Sequence, residues 1–147
     1  QDGLAKAIGV SNYSLGQIDE LAEATGATPE VNQIRWGPSI YDPAVVSGLQ
    51  QRGVVLEGYS PFKVSNLSDP TLVSIASEHD ATTAQVIVAW HMAHGFVVIP
   101  KSARVERIVG NAAGATIELT AEEVAAIDGL SRVAGAGSSR RFGRFPR

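Results

Sequence analysis

The sequence predicts an α/β fold built on a parallel sheet. Three observations carry that prediction: short β-branched runs, helical stretches that alternate with them, and clear helix punctuation between the two. The runs are Ala7-Ile8-Gly9-Val10, Val31-Asn32-Gln33-Ile34, Val54-Val55-Leu56-Glu57-Gly58 and Phe96-Val97-Val98-Ile99, each bounded by turn residues. They read as strands of a buried sheet.

After the first strand, Ser14 caps a helix over Leu15–Thr25, with Asp19 and Glu20 early and Gly26 as the stop. After the second, Asp42-Pro43 sets an N-cap ahead of a proline at the first helical position, and that helix runs to Arg52 and stops at Gly53. After the third, Asp69-Pro70 repeats the device and opens a helix to His79. Thr82 or Thr83 opens another to Ala93, closed by Gly95. After the fourth, Arg104–Asn111 is helical by pattern, and Thr120-Ala121-Glu122-Glu123 has capping-box spacing before Val124–Leu130. The order β-α-β-α-β-α-α-β-α-α implies right-handed crossovers. An open α/β sandwich fits it, and so does a segment of a (β/α)8 barrel. A barrel needs eight strands and typically ~250 residues. The chain has 147 residues and four such runs, so length alone favours the open sheet.

Composition narrows the classes. At 44% hydrophobic and 18% charged, the chain is neither a disordered tail, a collagen-like chain nor a bundle of membrane spans. Its apolar runs, such as Phe96 to Pro100, are far short of the ~20 residues that a spanning helix needs. The absence of cysteine excludes disulfides, thiolate metal sites and a cysteine nucleophile, and agrees with a cytoplasmic location. The opening Gln1-Asp2-Gly3 has no targeting pattern and reads as an internal start. Net charge is −3, yet Arg140, Arg141, Arg144 and Arg147 sit in an acid-free end. Residues 1–132 therefore hold the other 8 bases against all 15 acids. So acidic a body argues against a nucleic-acid partner, and residues 133–147 read as a flexible basic tail.

The strand ends carry the chemistry. Ser11-Asn12 follows the first strand, Asn32-Gln33 closes the second, Tyr59-Ser60-Pro61-Phe62 follows the third and Pro100-Lys101-Ser102 the fourth. Polar groups thus gather at the C-terminal ends of the strands, where α/β folds bind ligands. Singly, each could be a turn or cap residue. No G-x-G-x-x-G follows the first strand and no P-loop occurs anywhere, so a dinucleotide bound here would not use a glycine-rich loop. Lys101-Ser102 precedes a helix with Arg104 and Arg107 three apart, which suits an anion such as phosphate.

Gly9-Val10-Ser11-Asn12-Tyr13, Asn32-Gln33, Gly58-Tyr59-Ser60-Pro61 and Ile99-Pro100-Lys101-Ser102, with Arg107 and Asn111, resemble the second half of the aldo-keto reductases. The Asp42-Pro43 helix and Arg52-Gly53-Val54 resemble their bacterial diketogluconate-reductase branch. The resemblance covers residues 4–132. It implies a (β/α)8 TIM barrel of which this chain supplies the last four βα units, a half-barrel. It also implies reduction of a small-molecule aldehyde or ketone with NADPH, without metal. Ser11, Asn12 and Gln33 would hold the nicotinamide carboxamide and Tyr59 would stack on the ring. Ser60 and the turn through Phe62 would hold the pyrophosphate. Lys101, Ser102 and Arg107, with Arg104 beside them, would hold the 2′-phosphate and Asn111 the adenine. Trp36 would line the substrate pocket.

The sequence departs from the family at Gly110, where a side chain often lies beside the adenosine, at Gly37, where histidine is frequent, and in the tail. The family's catalytic Asp, Tyr, Lys and His lie on its first four strands, which this chain lacks. A Tyr59–Lys101 acid–cation pair is the nearest substitute, but both residues have cofactor roles. His91 and His94 read as a surface or half-buried pair rather than metal ligands. A half-barrel would also leave an inner face of Ile8, Val10, Ile34, Leu56 and Val98 open. The expected partner is accordingly a missing N-terminal half or a second copy, with no membrane. The alternatives are a non-catalytic nucleotide-binding or assembly module that dimerises, and an open α/β domain for another phosphorylated ligand.

Overall fold

A computed structural model describes residues 4–131 of the chain. The expected basic tail lies outside the described residues. The strands are β1 Gly9–Ser11, β2 Val31–Arg35, β3 Val55–Tyr59 and β4 Val97–Ile99. The helices are α1 Leu15–Thr25, α2 Pro43–Gln51, α3 Pro70–Glu78, α4 Thr83–Ala93, α5 Val105–Ala113 and α6 Ala121–Asp128. Short 3-10 turns at Pro38–Ile40, Pro61–Val64 and Gly114–Thr116 were not foreseen. The sheet is parallel throughout in the order β1-β2-β3-β4, as consecutive crossovers require.

Punctuation at the helix ends falls where the sequence set it. Ser14, Thr82 and Thr120 each accept from the third backbone N–H of the helix they open, and Gln17, Gln85 and Glu123 return the bond. Asp42 and Asp69 cap α2 and α3 from just before their prolines. Such caps contribute about 1 kcal/mol each. Asp19, however, does not serve the start of α1. It forms a two-pronged pair with Arg52 at 2.6 Å, whose third nitrogen donates to Gly48 O, tying α1 to the end of α2.

The core lies on one face of the sheet, centred on α4, whose residues Val86 to His91 are all buried. Trp90, Leu72, Ile87, Ile18 and Ile127 fill it with no more than 1% exposure. A helix apolar on every side must be enclosed, and α3, α6 and β4 enclose this one. His91 is therefore fully buried, contrary to the surface or half-buried place expected for it.

Register corrects the inner face as well. Val10, Asn32 and Leu56 lie side by side, as do Ile34, Gly58 and Val98, and these rows face the helices. The uncovered face instead carries Gly9, Val31 and Val55, then Ser11, Gln33, Glu57 and Val97, then Arg35, Tyr59 and Ile99. Val55, Val97 and Ile99 are each more than 40% exposed there. A shift of one residue exchanges the two faces of a strand, and β-branched residues on both sides hid which was which.

Candidate nucleotide site at the strand ends

The first cluster follows from the register. Ser11, Gln33 and Glu57 stand abreast on the uncovered face, with Tyr59 one pleat further on and Asn12 just past β1. Hydrogen bonds join them in one direction. The Tyr59 hydroxyl donates to Asn12 Oδ1 (3.2 Å), Asn12 Nδ2 donates to Ser11 Oγ (3.2 Å) and Ser11 Oγ donates to the Gln33 main-chain carbonyl (3.0 Å). The Gln33 side chain bonds separately: its Nε2 donates to the Glu57 carboxylate. Asn32, on the opposite face and 1% exposed, braces the loop from behind through both the N–H and the carbonyl of Tyr13.

Backbone strain marks the same places. Asn12 and Ser60 take left-handed φ values of 57° and 53°, directly after β1 and β3. Asparagine tolerates that region, serine less readily, and such conformations concentrate at ligand sites. Gly58 lets β3 approach α4: an added Cβ would lie 3.1 Å from His91 Nε2 and 3.2 Å from Trp36 Cβ. His91 Nδ1 donates to the Ile87 carbonyl at 2.7 Å. Burial, opposed by that bond, pushes the imidazole down to about 4. A neutral histidine therefore backs the strand that presents Tyr59.

The second cluster lies on the neighbouring strand end. Lys101 is exposed, and Ser102 Oγ accepts from the Arg104 backbone N–H at 3.1 Å in a tight turn. Arg104 is the N-cap of α5 but offers it no side-chain cap, so the first N–H groups of that helix are free for another acceptor. Lys101, Ser102 and Asn111 line a cavity of about 750 Å³ between β4, α4 and α5. Arg104 and Arg107 are exposed, and neither enters an ion pair among the described residues.

Two expected residues sit differently. Trp36 is 3% exposed and packs edge-on against Tyr41 and Phe96, so it belongs to the core rather than to a surface open to substrate. Phe62 also leans its ring on the core, which leaves its main chain as what it can offer a phosphate. Glu57 was missed, although a charge inside the run Val54–Gly58 was visible. Asp128 was missed too: it accepts from Trp90 Nε1 and bonds His94 Nε2, both at 2.8 Å, which accounts for His94 without a metal.

The family model for the aldo/keto reductase family matches residues 1–132, and the chain belongs to that family. Glyoxal reductase of Bacillus subtilis is 36% identical over 133 residues, covering 90% of this chain and 48% of that protein. Among solved structures, an aldo/keto reductase from Brucella melitensis matches with a TM-score of 0.80 and 35% identity over 85% of this chain and 48% of the other. An aldo-keto reductase of Bombyx mori in complex with NADP matches with a TM-score of 0.80 and 32% identity, over 87% of this chain and 45% of the other. The chain thus spans about half the length of the curated relatives it matches. Its sheet is four βα units of a (β/α)8 barrel, and the open-sandwich alternative falls.

Proposed function

We propose that this chain is the cofactor-holding half of an NADPH-dependent reductase that converts aldehydes or ketones to alcohols. The observation that carries the reading is the hydrogen-bonded run Tyr59–Asn12–Ser11–Gln33 at the strand ends. The cluster of Lys101, Ser102 and Asn111 on the next strand supports it.

The donor set fits the group. An amide needs donors and acceptors together, which Ser11, Asn12 and Gln33 supply. Tyr59 offers a ring on which a nicotinamide can stack, worth on the order of 1 kcal/mol beyond area burial. Ser60 and the turn through Phe62 would hold the pyrophosphate. Lys101, Ser102 and the free N–H groups of α5, with Arg107 and Arg104 near, suit a 2′-phosphate. Asn111, which lines the same cavity, would meet the adenine. The bound cofactor supplies the hydride. We assign the proton for the nascent alkoxide to the Asp, Tyr, Lys and His expected on the family's first four strands, not to one of the described residues. The half that holds them would also cover the uncovered sheet face.

Titrating NADPH into the chain while following its fluorescence, with a simple aldehyde present, tests the reading. Saturable binding without turnover is expected. Absence of binding contradicts the cofactor role, and brisk turnover by the chain alone contradicts the division of labour. The apolar face at Val55, Val97 and Ile99 also favours a second reading, in which two copies close one barrel as a nucleotide-binding module.

A further inference from the structure

Asparagine and glutamine side chains present a donor at one end and an acceptor at the other, so a site built from them is defined only when something fixes which end points where. Asn12 is fixed within the network, since its Oδ1 accepts from Tyr59 and its Nδ2 donates to Ser11. Gln33 is fixed from outside it. Its Nε2 donates to the Glu57 carboxylate, the neighbour with which it is registered on β3. An ionised carboxylate only accepts, so it selects the amide nitrogen and rejects the amide oxygen. Gln33 Oε1 has no hydrogen-bond donor among the described residues.

We propose that Glu57 is a positioning residue that sets the polarity of the nicotinamide subsite. By holding Gln33 Nε2, it turns Gln33 Oε1 toward the cofactor, so that the site demands a donor: the NH2 of a carboxamide. This rests on the nicotinamide reading above and specifies which end of that group is recognised. Glu57 itself touches no reacting atom.

The test compares NADP+ with its 3-acetylpyridine analogue, which keeps the carbonyl and lacks the NH2, in wild-type chain and in Glu57→Gln. A glutamine at 57 is nearly isosteric but can donate or accept, so it leaves Gln33 free to turn over. Wild type should prefer NADP+ about tenfold, the worth of one hydrogen bond, and the preference should fall to about unity in Glu57→Gln. NMR of the Gln33 side-chain NH2 supplies a readout that needs no cofactor. Its two resonances should be displaced by the bond to Glu57 in wild type and move toward free-amide positions in Glu57→Gln. An unchanged preference in the variant, or Gln33 resonances indifferent to Glu57, overturns the proposal. Failure of wild type to bind either dinucleotide would instead defeat the nicotinamide reading and the subsite polarity with it, while the NH2 resonances still show whether Glu57 holds Gln33.

Discussion

At the scale of single residues, charge and protonation make the sharpest statements. Arg107 lies exposed on α5 without an ion-pair partner among the described residues, so its guanidinium is free for a bidentate phosphate contact. Replacing Arg107 with alanine should weaken NADPH by about tenfold and leave NADH nearly unchanged, measured by fluorescence titration of both. Equal loss for the two would refute the 2′-phosphate assignment. His91 gives a prediction on stability. Its unfolded pKa is near 6.5 and burial holds it at about 4 in the fold. Between those values the unfolded chain binds more protons, so acid favours unfolding. Stability should be full above the upper value, fall as pH drops through the window, and level off below the lower. The total is about 3 kcal/mol by denaturant titration, and His91→Leu should flatten that part of the profile.

At the scale of elements, two glycines four residues apart, Gly110 and Gly114, make a matched pair of tests. An alanine Cβ at Gly110 in α5 meets nothing within 4 Å, whereas at Gly114 it would lie 2.8 Å from the Gln85 carbonyl and 2.9 Å from Val88 Cβ on α4. Gly110→Ala should stabilise the chain by roughly 0.5–1 kcal/mol through the gain in helix propensity. Gly114→Ala should cost about 1–3 kcal/mol, because backbone on α4 has no room to yield. Thermal melts of both variants decide. The element boundaries themselves were largely legible. Asp-Pro pairs, Ser14, Thr120 and the glycine stops are local signals, and local signals survive folding. The faces of the strands were not legible. With Val54 and Val55 or Val97 and Val98 adjacent, both faces look apolar, and only the folded exposures, 44% for Val55 against 4% for Leu56, show which one is left open. The burial of His91 and Trp36 was hidden for a related reason. It depends on how α4 is enclosed by elements distant in sequence, as does the hold of Asp128 on His94.

At the scale of the whole molecule, length acquires a different meaning. A chain of 147 residues is an ordinary domain, yet it supplies four strands of an eight-strand barrel. The consequence is physical. Val55, Val97 and Ile99 lie open on the sheet, and Val105, Ile108 and Val109 lie open on α5 at 69%, 52% and 64% exposure. Apolar surface so gathered drives association. Size-exclusion of the isolated chain should return a species larger than a monomer, and a compact, stable monomer would count against the half-barrel account. Among the described residues no helix is long and apolar enough to cross a membrane. That Ser11, Asn12, Gln33 and Tyr59 come together was legible from the strand-end motifs. How Gln33 is oriented was not, because Glu57 becomes its neighbour only across the sheet.

The central claim is that the two strand-end clusters are parts of one nucleotide site. The most direct measurement is a chemical-shift titration of the isotope-labelled chain with NADP+. The account predicts that resonances of Ser11, Asn12, Gln33 and Tyr59 move together with those of Lys101, Ser102 and Asn111, all saturating at the same concentration. Movement in one cluster without the other, or saturation at different concentrations, would contradict it.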